Sequence, residues 1–206
     1  MKTLKELMYD EDIENIIQSY YVFGEIKAIH EKNGENINFY IHQEKTEWSS
    51  CLIDMFKDDI HLLTLTTINS IDLFSLYNNY GVPYYLKVDV EGCDLIVAKH
   101  LSEFKQKPKH VSFELSRNNY TGIFSYLYVS GYSKFQLVNQ INNPNRITTK
   151  DFKFSEFSSG FFGDDLPKDR WLSFDEMITN YIKFKDLKIF DNAELALGWL
   201  DVHAKL

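Results

Sequence analysis

Acidic side chains gather in one part of the sequence in a pattern that suits proton transfer or cation binding. Residues 84–96 read YYLKVDVEGCDLI, so an apolar run ends in Asp89 and Glu91 just before Gly92. The next apolar run, KHVSFEL, contains Glu114 near its end. Carboxylates that are held close together raise one another's pKa or recruit a cation. We therefore take the three acids as candidate catalytic residues.

Two neighbours of these acids are also candidates. Lys87 lies two positions before Asp89, so within a strand both side chains point to the same face of the sheet. We add Lys87 to the catalytic candidates. Gly92 permits a tight turn and lets a ligand approach the backbone, which makes it a candidate cofactor contact.

Structural roles would also account for each of these residues. A carboxylate ahead of a helix often caps that helix or interacts with its dipole. A strand lysine such as Lys87 often extends its charge to the surface. Glu114 could simply pair with Lys109 or Arg117.

The segments around the acids alternate between strand and helix patterns. Apolar, β-branched runs predict strands over residues 61–68, 84–90, 109–115 and 134–139. Helical patterns separate them over residues 69–80, with Asn69 as the N-cap, 93–101 and 120–132. This alternation predicts an α/β fold with a mostly parallel sheet and helices on both faces. Ligands of such sheets bind outside the carboxyl ends of the strands, where the three acids would lie.

Elements are also predicted on both flanks of this core. A helix over residues 4–20 precedes two strands, 25–31 and 36–42, which would pair as a hairpin. The tail predicts a strand over 152–160, a helix with a capping box of Ser173 and Glu176, and a last amphipathic helix. That last helix is predicted from the spacing of Leu195, Trp199, Val202 and Leu206. No linker rich in Pro, Gly or Ser occurs, which predicts one domain over 1–206 with parts at 1–60, 61–140 and 141–206.

The composition restricts the class of protein. The 206 residues are 44% hydrophobic, which suffices for one domain with a sizeable core. The formal net charge of −8 makes nucleic acid an unfavourable partner, and no apolar run approaches the roughly 18 residues of a membrane span. The N-terminus is too charged for a secretory signal, and Cys51 and Cys93 are too few for a disulfide framework. We therefore expect reduced thiols and a cytoplasmic protein. Glycine-rich phosphate loops, hydrolase nucleophile motifs and zinc-ligand patterns are absent from the sequence.

Two stretches of the core resemble a known family. The stretch LTLTTINSIDLF, followed by YYLKVDVEGCD, resembles the signature of FkbM-type methyltransferases. That signature has a strand ending in T-L-D, a helix, and a strand of the form L-K-x-D-x-E-G. The second element is matched in full by Leu86, Lys87, Asp89, Glu91 and Gly92. In the first element Thr67 and Ile68 match, whereas Asn69 stands where the family usually has Asp.

The resemblance implies a Rossmann-like fold of the class I methyltransferase type, with S-adenosylmethionine as cofactor. It implies methyl transfer to an oxygen of a small-molecule or sugar acceptor. By the same resemblance, Asp89 and Glu91 would face the reaction centre.

The resemblance also supplies candidate cofactor-binding residues in addition to Gly92. His30 and Glu31 follow the first strand, where such folds place adenine contacts. Ser49 and Ser50 lie in a stretch that looks like the family's serine-rich loop. Exposed turn positions are the alternative explanation for His30 and Glu31.

The glycine-rich turn and the acidic second strand of such methyltransferases have no counterpart in this sequence. The strand at 25–31 resembles the family's third strand, so we expect an N-terminally incomplete domain that arose by truncation. The strands at 25–31 and 84–90 would then each have an unpaired edge. A companion chain or a second copy could cover those edges, or the chain could be a non-catalytic module that docks through them. A different enzyme that uses a divalent cation at the acids is the third hypothesis.

Overall fold

The structure, a computed structural model, describes residues 27–45, 49–116, 118–140, 160–185 and 200–206. Within these residues the chain is an α/β protein with two small sheets and four α-helices. The helix predicted over 4–20 lies outside the described residues, and so does the strand predicted near 152–160 except for Gly160.

The first sheet has three strands with β3 in the middle. The strands are β1 (Lys27–Ile29), β2 (Asn36–His42) and β3 (Leu63–Ile71). β3 is parallel to β1 and antiparallel to β2, so the predicted hairpin of the first two strands is wrong. Ser70 of β3 occupies the turn between them, because its hydroxyl donates to the Lys32 carbonyl and accepts from the backbone N–H of Glu35.

The second sheet has four strands in the order β4-β5-β7-β6. They are β4 (Tyr85–Val88), β5 (His110–Glu114), β6 (Lys134–Asn139) and β7 (Leu200–Lys205). β4 and β5 are parallel, whereas β7 is antiparallel to both β5 and β6. The α/β class is therefore confirmed, but the described strands form two mixed sheets and not one mostly parallel sheet.

Four helices accompany the strands. They are α1 (Leu73–Tyr80), α2 (Asp94–Glu103), α3 (Tyr120–Val129) and α4 (Phe174–Lys185). Ser173 and Glu176 form the predicted capping box at the start of α4, where each residue's side chain accepts from the other's backbone N–H. Among the described residues, no helix combines the length and the apolar character that crossing a bilayer requires.

Residues 200–205 form β7 and not the predicted helix, whose other positions, Leu195 and Trp199, lie outside the described residues. β7 lies between β5 and β6, so both of its edges are paired, and five of its six residues are buried. Its apolar residues alternate with polar ones, of which Asp201 and His203 are buried, and this is the period of a strand and not of a helix. The predicted helical spacing of Val202 and Leu206 therefore carried no information about this element.

The start of α1 also differs from the prediction. Asn69 lies within β3, opposite Lys27 on one side and Asn36 on the other, so it is not an N-cap. Asp72 is the N-cap, because its Oδ1 accepts a 2.7 Å hydrogen bond from the Ser75 backbone N–H. The strand continues past Asn69 to Ser70, whose buried side chain donates a hydrogen bond to the Lys32 carbonyl in the β1–β2 turn.

The hydrophobic core lies on one face of the four-stranded sheet. Alternate residues of β5, β6 and β7 are fully buried there with α2 and α3 residues: Val111, Phe113, Phe135, Val202, Ala204, Leu101, Ile123 and Leu127. The intervening residues of the same strands point to the opposite face and are polar except for Val138. The predicted site lies at the edge of this second face, where Glu114 ends β5.

Candidate functional site

Asp89, Glu91 and Glu114 come together as the sequence predicts. One carboxylate oxygen from each lies within 4.8 Å of one from each of the others. β4 and β5 are parallel neighbours with Val88 opposite Phe113, so Asp89 after β4 and Glu114 at the end of β5 lie at the same sheet edge. We call these three carboxylates the acid rim.

Glu114 is the carboxyl of the acid rim that retains a proton. Burial raises the pKa of Glu114 to about 8, and the charge and hydrogen bond of Asp89 and the charge of Glu91 add to the shift. Asp89 is exposed to solvent, whereas Glu114 is half-buried. Near neutral pH the rim therefore has a proton on Glu114.

Glu91 reaches the rim through a strained turn. Its φ is 38° and that of Gly92 is 93°, and the Cys93 N–H donates to the Val90 carbonyl at 3.1 Å to close the turn. A left-handed conformation costs a residue with a side chain about 1 kcal/mol. Such a cost is maintained only where surrounding contacts hold the turn.

Residues 50–56, which we call the support segment, supply those contacts. The Ser50 hydroxyl donates a 2.6 Å hydrogen bond to the Glu91 carbonyl and accepts one from the Leu52 N–H. A Cβ on Gly92 would lie 2.6 Å from the Met55 sulfur and 2.9 Å from Leu52 Cδ1. Ser50 and Gly92, which were predicted to bind a cofactor, thus have a packing role between the support segment and the turn, and their contact with a cofactor stays a prediction.

Lys87 is a counter-ion for two acids. Its Nζ lies 2.7 Å from Asp201 Oδ2 and 3.3 Å from Asp89 Oδ2. Burial alone would lower the pKa of Lys87, but the charges of Asp201 and Asp89 outweigh it and raise the pKa. Lys87 is therefore a protonated residue that positions Asp89, and not a proton acceptor.

Asp201 and Gln140 belong to this arrangement, and the sequence did not reveal them. Asp201 is 0% exposed and lies opposite Glu114 in the β5–β7 register. Gln140 Nε2 donates to Asp201 Oδ2 at 2.7 Å, so this oxygen accepts from both Gln140 and Lys87. The alternation of Asp201 with apolar residues in LDVHAK could have placed its side chain on the polar face of the sheet. That inference depends on first identifying the segment as a strand.

The polar face of the sheet continues from the rim beneath residues 160–170. The Tyr85 hydroxyl lies 2.6 Å from the Ser112 hydroxyl, and His203 is opposite Ser112 in the register. Phe162 stacks on the Tyr85 ring at 4.2 Å, and the Gln136 amide donates to the Pro167 carbonyl. Residues 160–170 therefore cover this face.

The other predicted cofactor residues each have contacts of their own. Glu31 lies 3.5 Å from Lys99 Nζ, and Ser49 accepts a hydrogen bond from the His42 N–H. His30 follows β1, and its buried Nδ1 has no hydrogen-bond partner among the described residues. Binding of S-adenosylmethionine by these residues stays a prediction.

The alternative explanation for Glu114, a simple ion pair with Lys109 or Arg117, has no support in the described residues. Lys109 contacts Asp164 at 3.0 Å and not Glu114, and Arg117 lies outside the described residues. The acid rim itself consists of oxygen donors, the type that hard divalent cations prefer. The ammonium group of Lys87 beside Asp89 already neutralises part of that charge.

The raised pKa of Glu114 predicts a pH-dependent stability. Because the folded pKa is about 8 and the ordinary value is 4.5, the folded state binds a proton that the unfolded state lacks between these limits. The free energy of unfolding should therefore fall by about 1 kcal/mol per pH unit as the pH rises from 5 to 8. Glu114→Gln should reduce this slope in urea unfolding, whereas Glu103→Gln, on the exposed end of α2, should keep it. Equal slopes in the wild type and Glu114→Gln would contradict the assignment.

The support segment predicts a matched pair of glycine substitutions. Gly92→Ala should lower the free energy of unfolding by about 2 kcal/mol, because φ is +93° and Met55 and Leu52 must move. Gly81→Ala should cost about 1 kcal/mol, since φ is +80° but no atom lies within 4 Å of the added Cβ. Chemical unfolding of both variants gives the difference. Equal losses would show that the contact with the support segment is unimportant.

Comparisons of the chain with protein-family models, with curated proteins and with solved structures find no match. The resemblance to FkbM-type methyltransferases therefore depends on the sequence motif, and the chemistry of the site depends on the geometry described above.

Proposed function

We propose that the acid rim accepts a proton from a hydroxyl group of a small molecule or sugar during methyl transfer to that oxygen. The observation that carries the proposal is the pKa of about 8 for Glu114, a half-buried carboxyl within reach of two other carboxylates. A carboxyl whose pKa lies near the working pH is an effective proton acceptor. The motif that resembles FkbM-type methyltransferases contains two of the three acids, Asp89 and Glu91.

The described residues would take up the proton of the acceptor. The acceptor hydroxyl would lose its proton to the carboxylate of Glu114, and Asp89 would accept a hydrogen bond from the resulting carboxyl. Lys87 limits the negative charge on the rim and fixes Asp89. S-adenosylmethionine would supply the methyl group, and we assign no residue of this chain to hold it.

A proton suits this site better than a divalent cation. The ammonium nitrogen of Lys87 lies 3.3 Å from Asp89 Oδ2, so a dication bound to Asp89 would be repelled by it. Half-buried Glu114 binds a proton near neutral pH without any counter-ion. We therefore consider a metal-dependent hydrolase or phosphotransferase a weaker candidate for the function of this site than a methyltransferase.

We infer a Rossmann-like arrangement of the class I methyltransferase type. β1 and β4 are edge strands, each with one neighbour among the described strands. A sheet of that type has further strands between its third and fourth, and such strands would join the two sheets at these edges. The parallel pairing of β4 with β5, with α2 between them in sequence, is the arrangement that such a fold requires.

An assay of methyl transfer tests the proposal. The chain is incubated with millimolar S-adenosylmethionine and a panel of sugars and hydroxylated small molecules, and formation of S-adenosylhomocysteine is measured. We expect transfer that rises with pH towards 8 and falls by about 100-fold in Glu114→Gln, while Glu103→Gln retains the wild-type rate. Calorimetry should show only weak binding of S-adenosylmethionine. No transfer above the Glu114→Gln background for any acceptor would contradict the function, and sub-micromolar cofactor binding would contradict the residue assignment.

The edges of β1 and β4 favour a second candidate, a module that docks on a partner or on a second copy of itself. An edge strand offers backbone N–H and C=O groups for pairing with another chain. Light scattering after size-exclusion chromatography should then give a mass above that of one 206-residue chain. Substitution of Ile29 by Pro in β1 should return the mass to that of the monomer, because the His30 N–H donates to Ile71 of β3 and the preceding N–H, that of Ile29, is therefore on the free edge, where proline removes a backbone donor. A monomeric wild type at high concentration would count against this candidate.

A further inference from the structure

The two cysteines lie against each other beside the acid rim. Cys51 Sγ and Cys93 Sγ are 2.7 Å apart, although 42 positions separate the residues in sequence. Both are free thiols, so the contact is between two reduced groups. A disulfide needs an S–S distance of about 2 Å, so only a small movement separates the two states.

The two thiols differ in access to solvent and in acidity. Cys93 is 2% exposed, whereas Cys51 is intermediate. A hydrogen bond from Cys93 lowers the pKa of Cys51 to about 7, while the same bond and burial raise the pKa of Cys93. A thiolate is the nucleophile in disulfide exchange, so Cys51 is the thiol that reacts first.

The pair connects the two parts of the chain that hold the strained turn. Cys51 is in the support segment, next to Ser50, which donates to the Glu91 carbonyl. Cys93 ends the turn that contains Glu91 and Gly92 and is the N-cap of α2. A bond between the sulfurs would add a covalent link to contacts that already exist between these segments.

We propose that Cys51 and Cys93 are a redox modification site, at which a low-molecular-weight disulfide such as oxidised glutathione converts the two thiols into an internal disulfide. The inference depends on the position of the cysteines and not on methyl transfer. In a reducing compartment the dithiol is the resting form, and oxidation fastens the support segment to the turn.

The reaction takes two exchange steps. The Cys51 thiolate attacks one sulfur of oxidised glutathione, which forms a Cys51–glutathione mixed disulfide and releases one glutathione thiolate. The Cys93 thiol loses its proton to solvent and its sulfur attacks Cys51 Sγ, which forms the internal disulfide and releases the second glutathione. Two protein thiols are oxidised and one glutathione disulfide is reduced to two thiols.

Intact-mass measurement of the full chain tests the proposal. The reduced protein is equilibrated with glutathione redox buffers, free thiols are alkylated, and the mass and the cross-linked peptides are determined. We expect one product that has lost two hydrogens, carries no glutathione and joins the peptides of Cys51 and Cys93. The urea midpoint of this product should be higher than that of the reduced protein and should return on addition of dithiothreitol. The same treatment in denaturing urea is the control, where glutathione should attach to both cysteines.

Single substitutions separate the roles of the two thiols. Cys93→Ser should accumulate the mixed disulfide at Cys51, because the second thiol is missing. Cys51→Ser should react at least ten-fold more slowly, since Cys93 is buried. Stable mixed disulfides on the folded wild type, disulfide-linked dimers, or equal rates for the two variants would each overturn the proposal. Failure of the methyl-transfer assay would leave these outcomes unchanged.

Discussion

The buried ion pair between Lys87 and Asp201 is the interaction on which the site depends. Asp201 is completely buried, and an unpaired carboxylate there would be strongly destabilising. The pair is possible only because β7 enters the sheet antiparallel between β5 and β6, which brings Asp201 near Lys87 on β4. Gln140 contributes a second hydrogen bond to the same carboxylate oxygen. β7 thus fixes the position of the Asp201 carboxylate, which pairs with Lys87 beside the acid rim.

That pair determines how negative charge is distributed at the sheet edge. Lys87 also contacts Asp89, so the exposed acid is partly neutralised and Glu114 takes the proton. Two mutually repelling carboxylates next to a third would otherwise favour unfolding, since separation in the unfolded chain relieves their repulsion. Perturbed acids of this kind cluster at functional sites more often than elsewhere, which is why the rim is the centre of the proposed function.

The strained turn after β4 is held by contacts from the support segment, which itself pairs with β2 of the three-stranded sheet. Ser50 pairs with Tyr40 of β2 through two backbone hydrogen bonds and also donates to the Glu91 carbonyl. The support segment therefore connects the three-stranded sheet to the acid rim. Because Cys51 belongs to that segment and Cys93 to the turn, the same connection is where a covalent link would act. A disulfide between these thiols would therefore act directly on the turn that contains Glu91.

The sequence alone determined the α/β class, the strands at β4 and β5, and the meeting of Asp89, Glu91 and Glu114, because parallel neighbours end at the same edge of a sheet. It also determined the capping box of α4, since local hydrogen bonds depend only on residues three positions apart. The tertiary structure decided that Asp72 and not Asn69 caps α1, that β3 separates β1 from β2, and that the last residues form a central strand. It alone revealed Asp201 and Gln140 beside Lys87 and the contact of Cys51 with Cys93. These features depend on residues far apart in sequence, and neither the period of a short buried segment nor the type of a single residue specifies which distant strand it will meet.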